Sequence, residues 1–309
     1  RFKYGALLNV DGCVIDDGVV VKQAENDYYF TTSTGRAGDT VGWFRYHTRF
    51  DGWDYHLVNL TDAMGVINLA GPNARKVLER VTDHDVSNEA FGFGAYREFT
   101  IAGKIPVRAM RLGFVGELSY EFHAPASTMQ SLWDVLIEAG REFGIANFGL
   151  EAQSTLRLEK GHLIIGSESE QRTNLRDLGL DFLWYRNKPE AKTVGSVALE
   201  QTEGQRGRLK LIGITTIDPQ APPPKDGSPI VDDRVRGCHC TARHSTALGK
   251  PVGMARVDNE LSAAGTELGL YQPGCAGTRV KVRVAKRPYY DPQGERMRIA
   301  CLGEGCEAG

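Results

Sequence analysis

Cys13-Val14-Ile15-Asp16-Asp17-Gly18-Val19-Val20-Val21 sets two adjacent carboxylates in a run whose β-branched density is that of a buried strand. Charge in such a place is costly. A carboxylate taken out of water must be paired, hydrogen-bonded or driven towards its neutral form, so the pair is either satisfied by the fold or held for a ligand. Immediately upstream, Phe2 to Val10 alternates like a strand, and Asp11-Gly12 supplies a hairpin turn into the carboxylate strand. That first strand is already under way at Arg1 with no initiator Met, which suggests a chain beginning inside a domain. Downstream, Tyr28 to Thr34 reads as a third strand closing on Gly35, before an amphipathic stretch with Val41, Trp43 and Phe44. A meander followed by a helix is expected.

Further out, Gly71-Pro72 begins a helix with Ala74, Val77, Leu78 and Val81 at helical spacing. The segments Tyr55 to Leu60, Val66 to Ala70, Tyr96 to Ile101 and Ile105 to Leu112 are β-rich. Ser127-Thr128-Met129-Gln130 has capping-box spacing and opens a helix whose Met129, Leu132, Trp133, Leu136 and Ile137 form one apolar face. Another helix covers Leu150 to Glu159. The alternation lacks the regular strand-helix period of a doubly wound sheet, so the class is α+β. Composition shifts after Gly204: a proline-rich loop, Asp218 to Gly227, precedes short strands punctuated by glycine, which predict a separate all-β module. Residues 301–309 are Gly- and Glu-rich and read as a flexible tail.

With 309 residues, 41% hydrophobic and 25% charged, the chain can bury about two cores. A net charge of -2 and a pI near 6.4 supply no global attraction to nucleic acid or an anionic membrane, which leaves small-molecule chemistry. Six cysteines are too sparse for a disulfide scaffold, and no apolar run approaches a membrane span or a signal-peptide core. A cytoplasmic protein with reduced thiols is expected. Gly92-Phe93-Gly94 lacks the third glycine and the strand-turn-helix context of a dinucleotide fingerprint. Cys238-His239-Cys240, with His244 nearby, has metal-ligand residue types. Consecutive strand residues point to opposite faces, however, and no second Cys pair has ligand spacing, so no metal is expected.

The segment Arg111 to Glu121 is more specific. A glycine-flanked turn carries Glu117 and leads into a strand where Glu121 sits among Leu118, Tyr120 and Phe122. An ionised Glu has two coplanar acceptor oxygens, suited to two parallel N–H donors of a planar heterocycle.

These residues, taken in order, carry a resemblance. Asp16-Asp17-Gly18 after a hairpin, the Thr31 to Gly35 strand, Gly71-Pro72-Asn73-Ala74, Gly113 to Glu121 and Leu156-Arg157-Leu158-Glu159-Lys160-Gly161 resemble the folate-binding aminomethyltransferase superfamily of the glycine cleavage T-protein. Glu151-Ala152, Glu159 to Gly166, Asp177-Leu178-Gly179-Leu180 and Tyr290-Asp291-Pro292-Gln293-Gly294 further resemble the C-terminal half of the sarcosine oxidase alpha subunit. The resemblance implies a T-protein-like α+β fold, with mixed subdomains around a central channel and a C-terminal all-β barrel or jelly-roll-like module. It divides the chain into an N-terminally truncated folate-binding region, 1–204, a β-barrel domain, 205–300, and the tail.

It also implies tetrahydrofolate as the bound species, with flavin or NAD only on other regions or subunits, and flavin-containing sarcosine-oxidase-like subunits as partners. Asp17 matches the catalytic aspartate, which orients the folate N5/N10 region and takes up charge or a proton. Read as buried, Asp17 is expected to have a raised pKa unless ligand N–H groups compensate. Asp16 then faces the other way as a structural carboxylate. Glu121 matches the pterin-binding glutamate, Phe114 an aromatic residue beside the folate, and Ser33 a polar residue on the third strand. Gln153 stands where the T-protein has an arginine, which moves the resemblance towards the oxidase alpha subunit; Gln153 and His162 complete the expected folate-binding set. The implied activity is formation of 5,10-methylenetetrahydrofolate from formaldehyde or an imine. Two alternatives stand beside it: a stand-alone aminomethyltransferase or folate-dependent demethylase, and a non-catalytic folate-binding or subunit-docking module.

Overall fold

The opening meander forms in the computed structural model, which describes residues 1–170, 172–184, 193–202, 208–272 and 279–298. Strands β1 (Phe2–Leu8), β2 (Val14–Ala24) and β3 (Asp27–Phe30) make a three-stranded sheet in that order. Gly18 is required where it stands, because a Cβ there would lie 1.9 Å from the Thr31 carbonyl oxygen. The third strand ends at Phe30, earlier than its sequence suggests, and the chain turns through a 3-10 segment, Thr34–Arg36, whose Arg36 N–H donates to Ser33 O at 2.8 Å. Ser33 therefore precedes a turn and is not a strand residue. Helix α1 (Ala37–Thr48) follows.

Residues 55–60 form no strand despite their β propensity. They have no partner ladder, and most of them are exposed. Next come β4 (Met64–Ala70), α2 (Ala74–Glu79), β5 (Tyr96–Ile101), β6 (Ile105–Met110), β7 (Ser119–Pro125) and α3 (Met129–Gly140). The four strands form an antiparallel sheet in the order β4-β7-β6-β5. One face sends Leu69, Phe99, Ile101, Val107, Tyr120 and Phe122 into a core closed by Val77 and Leu78 of α2 and Leu132 and Leu136 of α3. α3 starts without a side-chain capping bond; a 3-10 turn precedes it, and Thr128 Oγ1 donates to Pro125 O instead. Its buried stripe also differs from the expected one. Val135 and Ala139 pack on the core while Trp133 is exposed, one position off the contact face.

Helix α4 (Leu150–Glu159) has the bounds read from its sequence, and α5 (Leu175–Leu178) and α6 (Ser196–Gln201) follow. Strands β8 (Leu209–Thr216), β9 (Pro229–Val231), β10 (Val235–Ser245), β11 (Lys250–Asp258), β12 (Glu267–Tyr271) and β13 (Arg279–Ala285) close an antiparallel barrel in the order β10-β11-β8-β13-β12-β9. β13 shows why: Val280, Val282 and Val284 turn inwards while Arg279, Lys281 and Arg283 face out. β11 is buried on both sides because its alternate residues serve two cores. Ala255 and Val257 fill the barrel, while Val252 and Met254 pack with Leu158 of α4 and with Leu175 and Leu178 of α5. Gly213 leaves room for Tyr289, whose hydroxyl donates to Gly253 O at 2.6 Å; a Cβ at position 213 would lie 2.4 Å from the Tyr289 hydroxyl oxygen.

Contacts divide the chain into two compact units. One comprises 1–5, 18–148 and the described residues from 294 on, including α7 (Glu295–Arg298); the other comprises 6–17 and 149–293. The described residues between 149 and 202 thus cluster with the barrel strands by contact. The tail expected over 301–309 lies outside the described residues. No described helix is long and apolar enough to cross a membrane.

Candidate functional site

The second face of the four-stranded sheet is polar. Register places Asn68 opposite Glu121, Val66 opposite His123, Arg108 opposite His123 and Glu98 opposite Arg108, so these residues share one side. β2 and β3 send two side chains onto it. Gln23 Nε2 donates to the Tyr96 hydroxyl at 2.7 Å and to Glu98 Oε1 at 2.8 Å. The Tyr29 hydroxyl lies 2.9 Å from His123 Nδ1, and the Arg108 guanidinium sits 4.7 Å from the centre of the Tyr29 ring. Burial pushes the Tyr29 phenol up, with Arg108 opposing. The Tyr96 hydroxyl donates to Glu98, which holds that carboxyl below its ordinary range and, after burial, raises Tyr96.

Glu121 completes this face. Its Oε2 is 3.6 Å from His123 Nε2, too long for a hydrogen bond but close enough for attraction to a protonated ring. A Tyr29 O–H donated to Nδ1 leaves the ring proton on Nε2, the nitrogen directed at Glu121. His123 is 4% exposed and Glu121 is 24% exposed, so the carboxylate is the part of the pair a ligand can reach. Beside His123 lies a cavity of about 590 Å³, lined also by Tyr29, Thr31, Thr40, Val66 and Arg108 among others; Glu121 is not one of its lining residues. This chain of groups links residues up to 94 positions apart and escapes sequence reading. Its one local signal is alternation in β7, which places His123 on the face of Glu121.

The other expected site residues are placed as follows. Phe114 is partly buried in the loop between β6 and β7, whose Glu117 is ion-paired with Arg296 at 3.4 Å. Ser33 is partly buried at the start of the 3-10 turn. Ser33, Phe114 and Glu121 belong to the first unit, whereas Asp17, Gln153 and His162 belong to the second. The two aspartates do lie on opposite faces of β2, but Asp16 is the buried one, at 1% exposed, and Asp17 is partly exposed. Alternation sets only that neighbours differ; packing selects which side is covered. Gln153 is partly exposed on α4, and its neighbour Glu151 pairs with Arg243 at 2.9 Å. His162 follows the helix, with its carbonyl accepting from Arg157 Nη1 at 3.1 Å.

The charged run at the end of α4 is consumed by the fold. Arg157 makes a two-pronged contact with Glu168 at 2.7 and 3.1 Å, and both side chains are buried. Ser245 Oγ donates to Glu159 at 2.5 Å, and Lys160 Nζ reaches Asp291 Oδ2 at 2.8 Å. The Arg-Leu-Glu-Lys pattern is therefore a clasp within its unit. Among the described residues, no group of three His, Cys, Asp or Glu is placed to hold a metal ion.

Comparison with known proteins adds the following. The family model of the GCVT N-terminal domain matches residues 1–188, and that of the glycine cleavage T-protein C-terminal barrel domain matches residues 210–291. The sarcosine oxidase subunit alpha of Rhizobium meliloti is 31% identical over 311 residues, spanning 97% of this chain and 31% of that protein. Mitochondrial dimethylglycine dehydrogenase of Homo sapiens is 30% identical over 262 residues, spanning 85% of this chain and 30% of that protein. The chain thus spans roughly a third of these two relatives. An aminomethyltransferase of Clostridium botulinum is 30% identical over 268 residues, 86% of this chain and 70% of that protein. In fold, the chain matches the crystal structure of glycine cleavage system aminomethyltransferase T from Bartonella henselae with a TM-score of 0.82 at 21% identity, over 94% of this chain and 76% of that one.

Proposed function

Because the chain belongs to the aminomethyltransferase family of the glycine cleavage T-protein, we propose that it carries out tetrahydrofolate-dependent one-carbon transfer as part of a sarcosine-oxidase-like alpha subunit. The product is 5,10-methylenetetrahydrofolate, formed from formaldehyde or an imine released when sarcosine or a related N-methyl amine is oxidised. The oxidation belongs to other regions or subunits, which bear the flavin or NAD. Coverage supports this division of labour: the chain matches 31% of a sarcosine oxidase alpha subunit and 30% of a dimethylglycine dehydrogenase, but 70% of an aminomethyltransferase.

Glu121 is the observation that carries the reading. A half-buried carboxylate on a rigid sheet, with a buried histidine beside it, can accept the parallel amino and ring N–H donors of a pterin. In the reaction with formaldehyde, the N5 and N10 hydrogens are replaced by one bridging methylene, and the aldehyde oxygen leaves as water. Asp17 orients that edge of the folate and takes up the proton released as a C–N bond forms. Its partial exposure suits a group that must meet a ligand. Phe114, Ser33, Gln153 and His162 are each proposed as folate-contacting residues on the strength of the family resemblance.

Calorimetric titration with tetrahydrofolate tests the reading. Glu121→Ala should weaken binding at least tenfold, equivalent to about 1.4 kcal/mol; unchanged affinity removes Glu121 from the site. Asp17→Asn should retain much of the binding yet lose methylenetetrahydrofolate formation above the uncatalysed rate, and unchanged turnover overturns its role. The 70% coverage of the Clostridium botulinum protein favours a second reading, a stand-alone aminomethyltransferase. Turnover with an aminomethyl donor and no flavin subunit would select it.

A further inference from the structure

β10 carries Cys238 and Cys240 on either side of His239, and its register with β11 slips between His239 and Thr241, so a β-bulge lies at Cys240. His239 is 1% exposed, with Nδ1 3.0 Å from Lys225 O, while both cysteines remain partly exposed. The two thiols are close enough that each shifts the titration of the other. Arg256 stands opposite Cys238 in the ladder and is 6% exposed. Its Nη2 donates to Cys238 Sγ at 3.4 Å, and the same nitrogen is held by Glu170.

Two strand steps of about 3.3 Å would set the Cα atoms roughly 6.6 Å apart, near the upper end of the disulfide range. The arrangement therefore sets two cysteines two positions apart at a bulge, with a cation at Cys238 and solvent within reach of both. The Cys240 S–H and then Arg256 draw the Cys238 thiol down to about 6 against its burial, while Cys240 is pushed up by donating to Cys238 and by burial. The other charged groups felt by Cys240 are Glu168 and Arg287. Cys13 shows the contrast: burial raises its thiol.

We propose that Cys238 and Cys240 form a peroxide-reactive dithiol, in which Cys238 is the site of oxidation and Cys240 resolves it as a Cys238–Cys240 disulfide. The Cys238 thiolate attacks the outer oxygen of a hydroperoxide; an S–O bond forms, the O–O bond breaks, and the leaving oxygen is protonated to water or an alcohol. The Cys240 sulfur then attacks the sulfenic sulfur, forming the S–S bond and breaking the S–O bond, and its proton leaves with the hydroxide as water. Two thiols lose two electrons to one peroxide. Nothing in this step requires folate, so it stands apart from the one-carbon reading.

The test uses the intact protein, hydrogen peroxide and peptide mass mapping of every cysteine. Iodoacetamide should alkylate Cys238 at least tenfold faster than Cys13 at pH 7, with a midpoint near 6 that rises in Arg256→Met. One equivalent of peroxide should join Cys238 to Cys240 with a loss of 2 Da. In Cys240→Ser the reaction should stop at a Cys238 sulfenic acid trapped by dimedone, and in Cys238→Ser no product should appear at Cys240. Alkylation of Cys238 no faster than Cys13, two free thiols after peroxide, or a bridge from Cys238 to another cysteine would each overturn the proposal. The serine variants change one atom each, and circular dichroism checks that they fold.

Discussion

Glu168 and Glu121 are carboxylates facing a cationic or protonatable partner, one in each unit, and their surroundings separate them. Glu168 is 0% exposed and accepts from both terminal nitrogens of Arg157, the Ile164 N–H at 2.7 Å and the Ser167 hydroxyl at 3.1 Å. Four donors saturate its oxygens, so no capacity remains for a ligand. Glu121 is 24% exposed and has His123 at 3.6 Å, on a sheet face that borders a cavity. A buried pair closed by the fold is scaffold; a half-open carboxylate on a rigid sheet can be used. Residue type alone does not distinguish them. The number of donors already spent does.

The sharpest way to break this contrast is to remove one partner of the closed pair. Arg157→Ala should cost about 3–5 kcal/mol, because Glu168 is left charged and buried. Urea denaturation reads that loss, and a cost near zero would show that the clasp is not closed. Glu121→Ala should leave the urea midpoint almost unmoved while weakening tetrahydrofolate, so a large stability loss there would erase the distinction. Tyr29→Phe removes only the hydroxyl beside His123 and should cost about 1 kcal/mol, read by the same denaturation. The smallest effect concerns Glu98, whose carboxyl is held down by the Tyr96 hydroxyl. A depressed carboxylate contributes stability above its unfolded pKa of about 4.3, and that contribution is lost as pH falls through the lower folded value. Glu98 is largely exposed, so Glu98→Gln should lose only slightly less stability than wild type between pH 5 and 3, read by thermal melting at each pH.

Much of the fold was legible because its signals are local. The hairpin at Asp11-Gly12, the strand Tyr96–Ile101, the helix Leu150–Glu159 and the C-terminal run of barrel strands follow from turn chemistry and periodicity. The segment 55–60 did not, because a strand needs a partner ladder as well as β-prone residues. The Ser127 capping box did not form, since the chain enters α3 through a 3-10 turn that supplies its own bonds.

The Asp16-Asp17 pair marks the dividing line. Sequence alone determined that the two carboxylates diverge, because strand side chains alternate. It also determined the family, because the motifs along nearly the whole chain keep their order. Only the tertiary structure decided that Asp16 is covered and Asp17 is accessible, that Glu168 is spent on Arg157, and that Glu121 shares its face with His123, Tyr29 and Arg108. The reason is physical: alternation and turn propensity act over a few residues, whereas burial and hydrogen-bond saturation depend on which distant segments pack together.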